Sequence, residues 1–327
     1  MLYTGGMTSP SPALVDRFRA DLAALNGGCG PIGIAVSGGP DSLALLLLAH
    51  AAFPGEVSAA TVDHGLRSES RNEALEVARV CIELSCPHSI LEVTVPRGGE
   101  GIQGEARRAR YRALGEWMRE AGLERLLTAH HVDDQAETLL MRLQRGSGVS
   151  GLAGVRARRP FPEGGENSLI LRPLLGWRRA ELAAIVREAG LQPADDPSNR
   201  DEANDRVRMR RQIAESEWID VAALAHTARV LADAEEALAG VTSLFAEQRV
   251  EAAGDSLLLR PGGLDDEMLR RLALHCIRRV APDAAPRGEQ VTGLLQALRK
   301  GRTTTLAGVK CSGGPRFRFE PAPPRRS

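Results

Sequence analysis

Five short segments of this 327-residue chain carry residue types and spacings suited to chemistry. The first is Ser37-Gly38-Gly39-Pro40-Asp41-Ser42, set between an apolar, β-branched run (Pro31 to Val36) and a Leu/Ala-rich stretch (Leu43 to Ala52). A strand that breaks on two glycines and enters a helix makes an anion site. The glycines let N–H groups turn inward, and the helix start leaves donors unpaired at the positive end of its dipole. The common mononucleotide loop would need a lysine after longer glycine spacing, and none stands here. The second segment, Ala129-His130-His131-Val132-Asp133-Asp134-Gln135-Ala136-Glu137-Thr138, starts at the end of an apolar run and opens a helix. Asp134 and Glu137 are three apart and share a helix face. Such a pair can hold Mg²⁺, bind an ammonium group, or accept a proton from an attacking amine.

The remaining segments are suited to phosphates and nucleotides. Val62-Asp63-His64-Gly65-Leu66-Arg67 ends a strand candidate, where its side chains could line a nucleotide pocket. Arg145 precedes Gly146, Gly148 and Gly151, a loop whose backbone could approach a phosphate closely. Asp196-Pro197-Ser198-Asn199 is followed by Arg206, Arg208 and Arg210, and guanidinium groups suit bidentate phosphate recognition.

These segments need a scaffold, and the pattern between them supplies one. Strand candidates Ile32–Val36, Val57–Val62, Ile90–Val95 and Leu126–Ala129 alternate with helix candidates Asp41–Ala52, Ser68–Leu84, Gln103–Glu120 and Val132–Arg145. That alternation predicts an α/β fold: a doubly wound parallel sheet whose ligands bind beyond the carboxyl ends of its strands. Arg158 to Asn167 reads as a surface loop, followed by a strand at Leu169–Leu171 and a helix at Arg178–Gly190. From Glu215 to Val250 the spacing is helical. Helices at Leu264–Val280 and Gln290–Leu298 and short strands near Thr303–Leu306 follow, and Gly313 onward reads as a frayed tail. The organisation expected is a catalytic domain over 1–215 and a smaller, mainly helical region over 216–327 with a disordered tail.

Composition narrows the classes. Lys+Arg and Asp+Glu are equal at 42, so no global basic field points to nucleic acid, although a local basic face remains open. Aromatic residues make up 3% of the chain, which argues against a base-stacking sheet. Five cysteines form no CxxC pair, and reduced thiols in a cytoplasmic protein are the simplest reading. No signal pattern opens the chain, and no apolar stretch is long enough to span a bilayer.

The order SGGPDS resembles the pyrophosphate loop of the N-type ATP pyrophosphatases. Taken with DHGLR, Ala109-Arg110-Tyr111, AHHVDDQAET, RGSG, Arg172-Pro173-Leu174-Leu175 and DPSN before an arginine run, the chain resembles the tRNA(Ile)-lysidine synthetases from about Pro31 to Arg211. The family usually has an aromatic residue where Asn204 stands here.

The resemblance implies a cytoplasmic, ATP-dependent carbon–nitrogen ligase that uses Mg²⁺. It would adenylate the 2-carbonyl oxygen of the wobble cytidine in a CAU-anticodon tRNA(Ile) and then attach free L-lysine. It implies ATP contacts from Ser37, Gly38, Gly39, Pro40, Asp41, Ser42, Asp63, His64, Arg110 and Gly146. It makes Asp41 the candidate for Mg²⁺ or for orienting the loop, and Asp134, Glu137 and His130 candidates for catalysis. Asp134, Glu137, Arg145, Arg206 and Arg208 become candidates for lysine or tRNA contacts, the C-terminal region a tRNA-binding appendage, and a homodimer a reasonable assembly. Two other classes compete: a tRNA thiolase on the same loop, and a non-catalytic ATP-binding module. Thiolase chemistry would call for a cysteine pair near the site, and Cys81 and Cys86, five apart near a helix end, are not expected to face each other.

Overall fold

The computed structural model describes residues 7–25, 30–65, 68–94, 102–193 and 205–323. The chain divides into two compact units, Met1–Gln144 with Gly154–Ala228, and Arg145–Ala153 with Arg229–Ser327.

In the first unit, α1 (Pro12–Ala24) leads into β1 (Ile32–Ala35), α2 (Pro40–Ala52), β2 (Val57–Asp63), α3 (Ser68–Glu83), β3 (His88–Glu92) and α4 (Ile102–Glu120). Then come β4 (Arg125–Leu127) and α5 (Val132–Gln144). Past α6 (Val149–Leu152), which lies in the second unit, the chain continues with β5 (Arg158–Pro160), β6 (Leu169–Leu171), α7 (Arg179–Glu188) and α8 (Asp205–Glu215). The sheet order is β3-β2-β1-β4-β6-β5, parallel except for the edge strand β5. Strands β1 and β4 are neighbours, with Gly33 opposite Leu126 and Ile34 opposite Leu127. Chain connections leave β1 toward β2 and leave β4 toward β6, so the order reverses between them. That reversal opens a crevice beyond their carboxyl ends.

Two apolar layers hold the sheet. On one side α2 packs against α1, α7, β1 and β2, and its run Leu43–Ala49 is buried all round, which explains why the sequence shows no amphipathic stripe there. On the other side α4 packs Leu114, Trp117 and Met118 with Leu126, Phe161 and Ile170. The segment from Arg158, expected to be a surface loop, is an edge strand followed by a 3-10 turn at Pro162–Gly164 that packs on α4. Phe161 lies fully buried beneath it, because one large aromatic outweighs the Pro/Gly/charge content around it.

The helix α9 (Val221–Arg249) gives its first residues to the first unit and the rest to the second. The second unit continues with β7 (Val250–Ala253), β8 (Ser256–Leu259), α10 (Asp266–Val280), α11 (Gly288–Arg299), β9 (Thr303–Leu306), β10 (Val309–Ser312) and β11 (Phe317–Pro321). The five strands form an antiparallel sheet in the order β7-β8-β11-β10-β9. Helices α9, α10 and α11 still hold more of the region than its strands do. One expectation is corrected, because the tail from Gly313 is not frayed: β11 pairs with β8 and β10, with Phe317 and Phe319 buried beside Leu259, Cys276 and Cys311. No helix among the described residues is long and apolar enough to cross a membrane.

Candidate active site

The turn after β1 is built to present backbone donors. Val36, just past β1, is buried, Gly38 turns at φ +83, and Gly39 caps α2 without a side-chain hydrogen bond. A positive φ at position 38 favours glycine, and the bare cap leaves first-turn N–H groups for an anion. The two serines play different parts. The Ser42 hydroxyl is buried; it accepts from the Ser37 N–H at 3.1 Å and donates to the Gly39 carbonyl at 3.0 Å. It therefore staples the loop, whereas Ser37 is exposed with its Oγ 3.2 Å from that of Ser42.

Beside this loop, at the end of β4, α5 begins. Its first N–H, on Val132, donates to the carbonyl of buried Trp177 at 3.0 Å. Further along, the Gln135 amide pairs with both backbone groups of Val155 at 2.7 and 2.8 Å. A helix tied at these points holds its first-turn side chains in place. His131, 1% exposed, lies at the junction. Its Nε2 is 3.4 Å from Asp41 Oδ2 and 3.6 Å from Asp134 Oδ2, and its Nδ1 is 3.5 Å from Asp133 Oδ2. Burial opposes a charge on this ring, but the hydrogen bonds to Asp133 and Asp41 and the Asp134 charge outweigh it and raise the pKa to about 9. The raised pKa favours the charged ring, which lies between Asp41 of the glycine loop and the first turn of α5. Asp133 is itself held down to about 2: burial works against this, but His131, the Arg179 N–H and Arg178 prevail.

Glu137, one turn on and 1% exposed, is met by two arginines of α8. Arg206 Nε donates to Oε2 at 2.9 Å and Arg210 Nε to Oε1 at 2.8 Å, while Arg206 also reaches Asp134 Oδ1 at 3.0 Å. Glu137 is buried and Asp134 half-buried, and both carboxylates are engaged by guanidinium groups.

His130 has the opposite fate from its neighbour. Burial, reinforced by Arg172, Arg206 and Arg107, lowers its pKa to about 3. Arg172 Nε donates to His130 Nδ1 at 3.3 Å, which leaves the ring proton on Nε2. His130 is a hydrogen-bond donor at neutral pH and not a base. At the end of β2, Asp63 Oδ1 accepts from Ser70 Oγ at 2.6 Å and Gly65 N–H at 2.9 Å, and these bonds lower its pKa. His64 Nε2 accepts from Arg110 at 3.1 Å.

The structure thus brings Asp41, His130, Asp134, Glu137 and Arg206 to one crevice, with Asp63, His64 and Arg110 at the adjoining strand end. Arg208 pairs with Asp205 on its own helix. Arg145 and Gly146 belong to the second unit. Asp196 to Asn199 and Asn204 lie outside the described residues. Sequence reasoning gave no role to His131, and it marked the segments of Arg172 and Arg210 without their partners here, His130 and Glu137. The doubled histidine was the available signal for the first, since a residue directly before an acidic helix start is placed to touch its carboxylates. Cys81 and Cys86 do meet, contrary to expectation, through a thiol–thiol hydrogen bond. They lie in the core by Val57, at the amino ends of the strands and away from the crevice.

A PP-loop domain model matches residues 18–217. A tRNA(Ile)-lysidine synthase of Zymomonas mobilis is 44% identical over 298 residues, covering 91% of this chain and 90% of the relative. One from Novosphingobium aromaticivorans is 45% identical over 318 residues, covering 95% and 94%. Among solved structures, a U34-tRNA thiolase from Methanococcus maripaludis superposes with TM-score 0.54 over 69% of this chain and 77% of that one. At 15% identity, that likeness speaks for the fold alone.

Proposed function

The chain belongs to the tRNA(Ile)-lysidine synthase family, and from that membership we propose that it converts the wobble cytidine of a CAU-anticodon tRNA(Ile) to lysidine. The cytosine 2-carbonyl oxygen attacks the α-phosphorus of ATP and pyrophosphate leaves. The side-chain amine of free L-lysine then attacks carbon 2, and AMP departs with the oxygen. The observation that carries this reading is the 3.4 Å contact between Asp41 of the glycine loop and His131 of the carboxylate-bearing helix. It supports reading the glycine loop as the pyrophosphate site and the neighbouring carboxylates as the amine site.

In this reading the loop N–H groups and the Ser37 hydroxyl hold pyrophosphate as its charge develops. Asp63, His64 and Arg110 line the nucleoside side. Asp134 and Glu137 receive the lysine ammonium, exchanging part of their contact with Arg206, and take its proton before attack. His130, through Nε2–H, donates to the base or nucleotide. Asp41 Oδ1 is buried without a hydrogen-bond partner, so one carboxylate oxygen is free for Mg²⁺ while Oδ2 faces His131. With one carboxylate available, the remaining ligands would be phosphate oxygens and water, the usual arrangement for this ion. Bound there, Mg²⁺ would supply neutralisation of phosphate charge. Contacts that select the tRNA are assigned to residues 216–327, and a homodimer belongs to the same proposal.

The test is incubation with ATP, Mg²⁺, radiolabelled lysine and an unmodified tRNA(Ile) transcript, with a methionine tRNA as control. Alkali-stable label on the isoleucine transcript alone, with equivalent AMP, is the expected result. AMP without label would favour another nucleophile, as in a thiolase. ATP binding without AMP would favour a binding module.

A further inference from the structure

On the β6 side of His130 lies a group of cations that the reaction above does not use. Arg107 and Arg159 place their guanidinium carbons 4.9 and 5.0 Å from the centre of the Tyr111 ring. Arg107 also donates to the Tyr111 hydroxyl at 3.3 Å. The ring is braced edge-on against buried Phe161, centroids 5.8 Å apart. Arg172, 3% exposed, stands behind, donating to His130 and to the Arg156 carbonyl at 2.6 Å and touching the Tyr111 hydroxyl. Among the described residues no carboxylate pairs with Arg107, Arg159 or Arg172. Burial together with Arg159 and Arg107 lowers the Arg172 pKa to about 10, with Tyr111 opposing. Three guanidinium groups around one aromatic ring, without a counter-charge among the described residues, repel one another. An anion that fits between them would relieve that repulsion.

The geometry points to a phosphate-binding subsite formed by Arg107, Arg159 and Arg172 around Tyr111. Its ligand is a phosphate group from one of the two substrates of the proposed reaction: a backbone phosphodiester of the RNA next to the target base, or the triphosphate of ATP. Tyr111 holds the Arg107 and Arg159 guanidinium groups against one ring, which a pair of lysines would do less well. The inference rests on the reading of RNA and ATP as substrates, and its test is separable from that reading.

The test compares the full chain with an Arg107→Gln/Arg159→Gln variant in two binding titrations. One uses a fluorescent CAU anticodon stem-loop at several salt concentrations, and the other uses ATP with Mg²⁺. If the phosphate comes from RNA, stem-loop affinity falls about tenfold or more and the slope of log K against log salt drops by about 1, with ATP binding intact. If it comes from ATP, the nucleotide titration shifts instead. Unchanged affinities in both titrations overturn the subsite. Should the double variant melt well below the parent, Arg107→Gln alone, at an exposed helix position, gives the same decision with a smaller shift. Arginine-dependent binding without lysidine formation would sink the reaction and keep the subsite. Lysidine formation with arginine-independent binding would do the reverse.

Discussion

The carboxyl end of β4 separates two halves of one cleft that handle charge in opposite ways. Toward β1, Asp41, Asp133, Asp134 and Glu137 face His131, Arg206 and Arg210 in a closed set of ion pairs. Toward β6, Arg107, Arg159 and Arg172 gather around Tyr111 with a neutral histidine and carbonyls for partners. The boundary runs between two adjacent residues, and the fold sets their protonation through what each ring faces. A paired half must exchange a partner to admit a charged ligand, so it can discriminate among cations. An unpaired half gains from any anion of suitable shape. This division suits an enzyme that must select one amine yet grip phosphates.

The largest expected effect lies in the paired half. Glu137→Gln leaves Arg206 and Arg210 facing a neutral amide in a partly buried setting. Lysine incorporation should fall on the order of 10²–10³-fold in kcat/KM, corresponding to about 3–4 kcal/mol of lost transition-state stabilisation. The melting temperature should fall as well, because removing one partner costs more than the pair contributes. Adding Arg210→Gln should restore part of that stability and none of the activity. Wild-type kinetics in Glu137→Gln would show that these ion pairs are structural.

His131 separates loop clamping from chemistry. Its folded pKa of about 9 lies above the free imidazole value, so its stabilisation is complete below about pH 6.5 and lost as pH rises through 9. A shift of that size is worth about 3 kcal/mol. His131→Asn should therefore melt well below wild type at pH 7, with the gap closing above pH 9. A gap independent of pH would show that shape, and not charge, holds Asp41 in place.

The scaffold of the unpaired half was the part least legible from sequence. The strand–helix alternation through β4 could be read because each element is apolar, of ordinary length and punctuated by glycine or proline. The pairing of Asp134 and Glu137 on one helix face could be read because i,i+3 spacing on a helix needs no tertiary knowledge. The partners of Arg172 and Arg210 could not be read, although both segments stood out, since an arginine's role depends on what another segment brings to it. The edge strand from Arg158 was hidden by Pro160, Pro162 and two glycines, although Phe161 between them marked a buried point. In the second unit, Phe317-Arg318-Phe319 has the period-2 pattern of a strand, yet its Gly/Pro/Arg surroundings read as a tail. The β7–β8 hairpin turns at Gly254-Asp255, a recognised two-residue signal that the long helical run before it obscured.

Gly115 offers a stability test of that scaffold. A Cβ there would meet the Glu163 carbonyl oxygen at 2.2 Å, a backbone contact that cannot swing aside. Gly115→Ala should lower stability by about 1–3 kcal/mol through overpacking, and should loosen Tyr111 one turn earlier on α4. Phosphate-dependent binding should weaken while the pH response assigned to His131 stays as in wild type. An unchanged melting curve would mean that the 3-10 turn shifts freely and does not brace the arginine cluster.

The smallest effect comes from His130, and it has the opposite sign from that of His131. With a folded pKa near 3, below the free value, His130 stays neutral in the fold while the unfolded chain binds a proton as pH falls below about 6.5. It therefore subtracts stability on the acid side, by about 1 kcal/mol at pH 5.5. His130→Gln should narrow the loss of stability between pH 7 and 5.5 and leave the alkaline limb untouched. If the acid limb is unchanged, the ring takes up its proton in the folded protein at the same pH as in the unfolded chain. Arg172 and Arg107 would then need an anion beside them even before substrate arrives, and the cleft would be compensated on both sides.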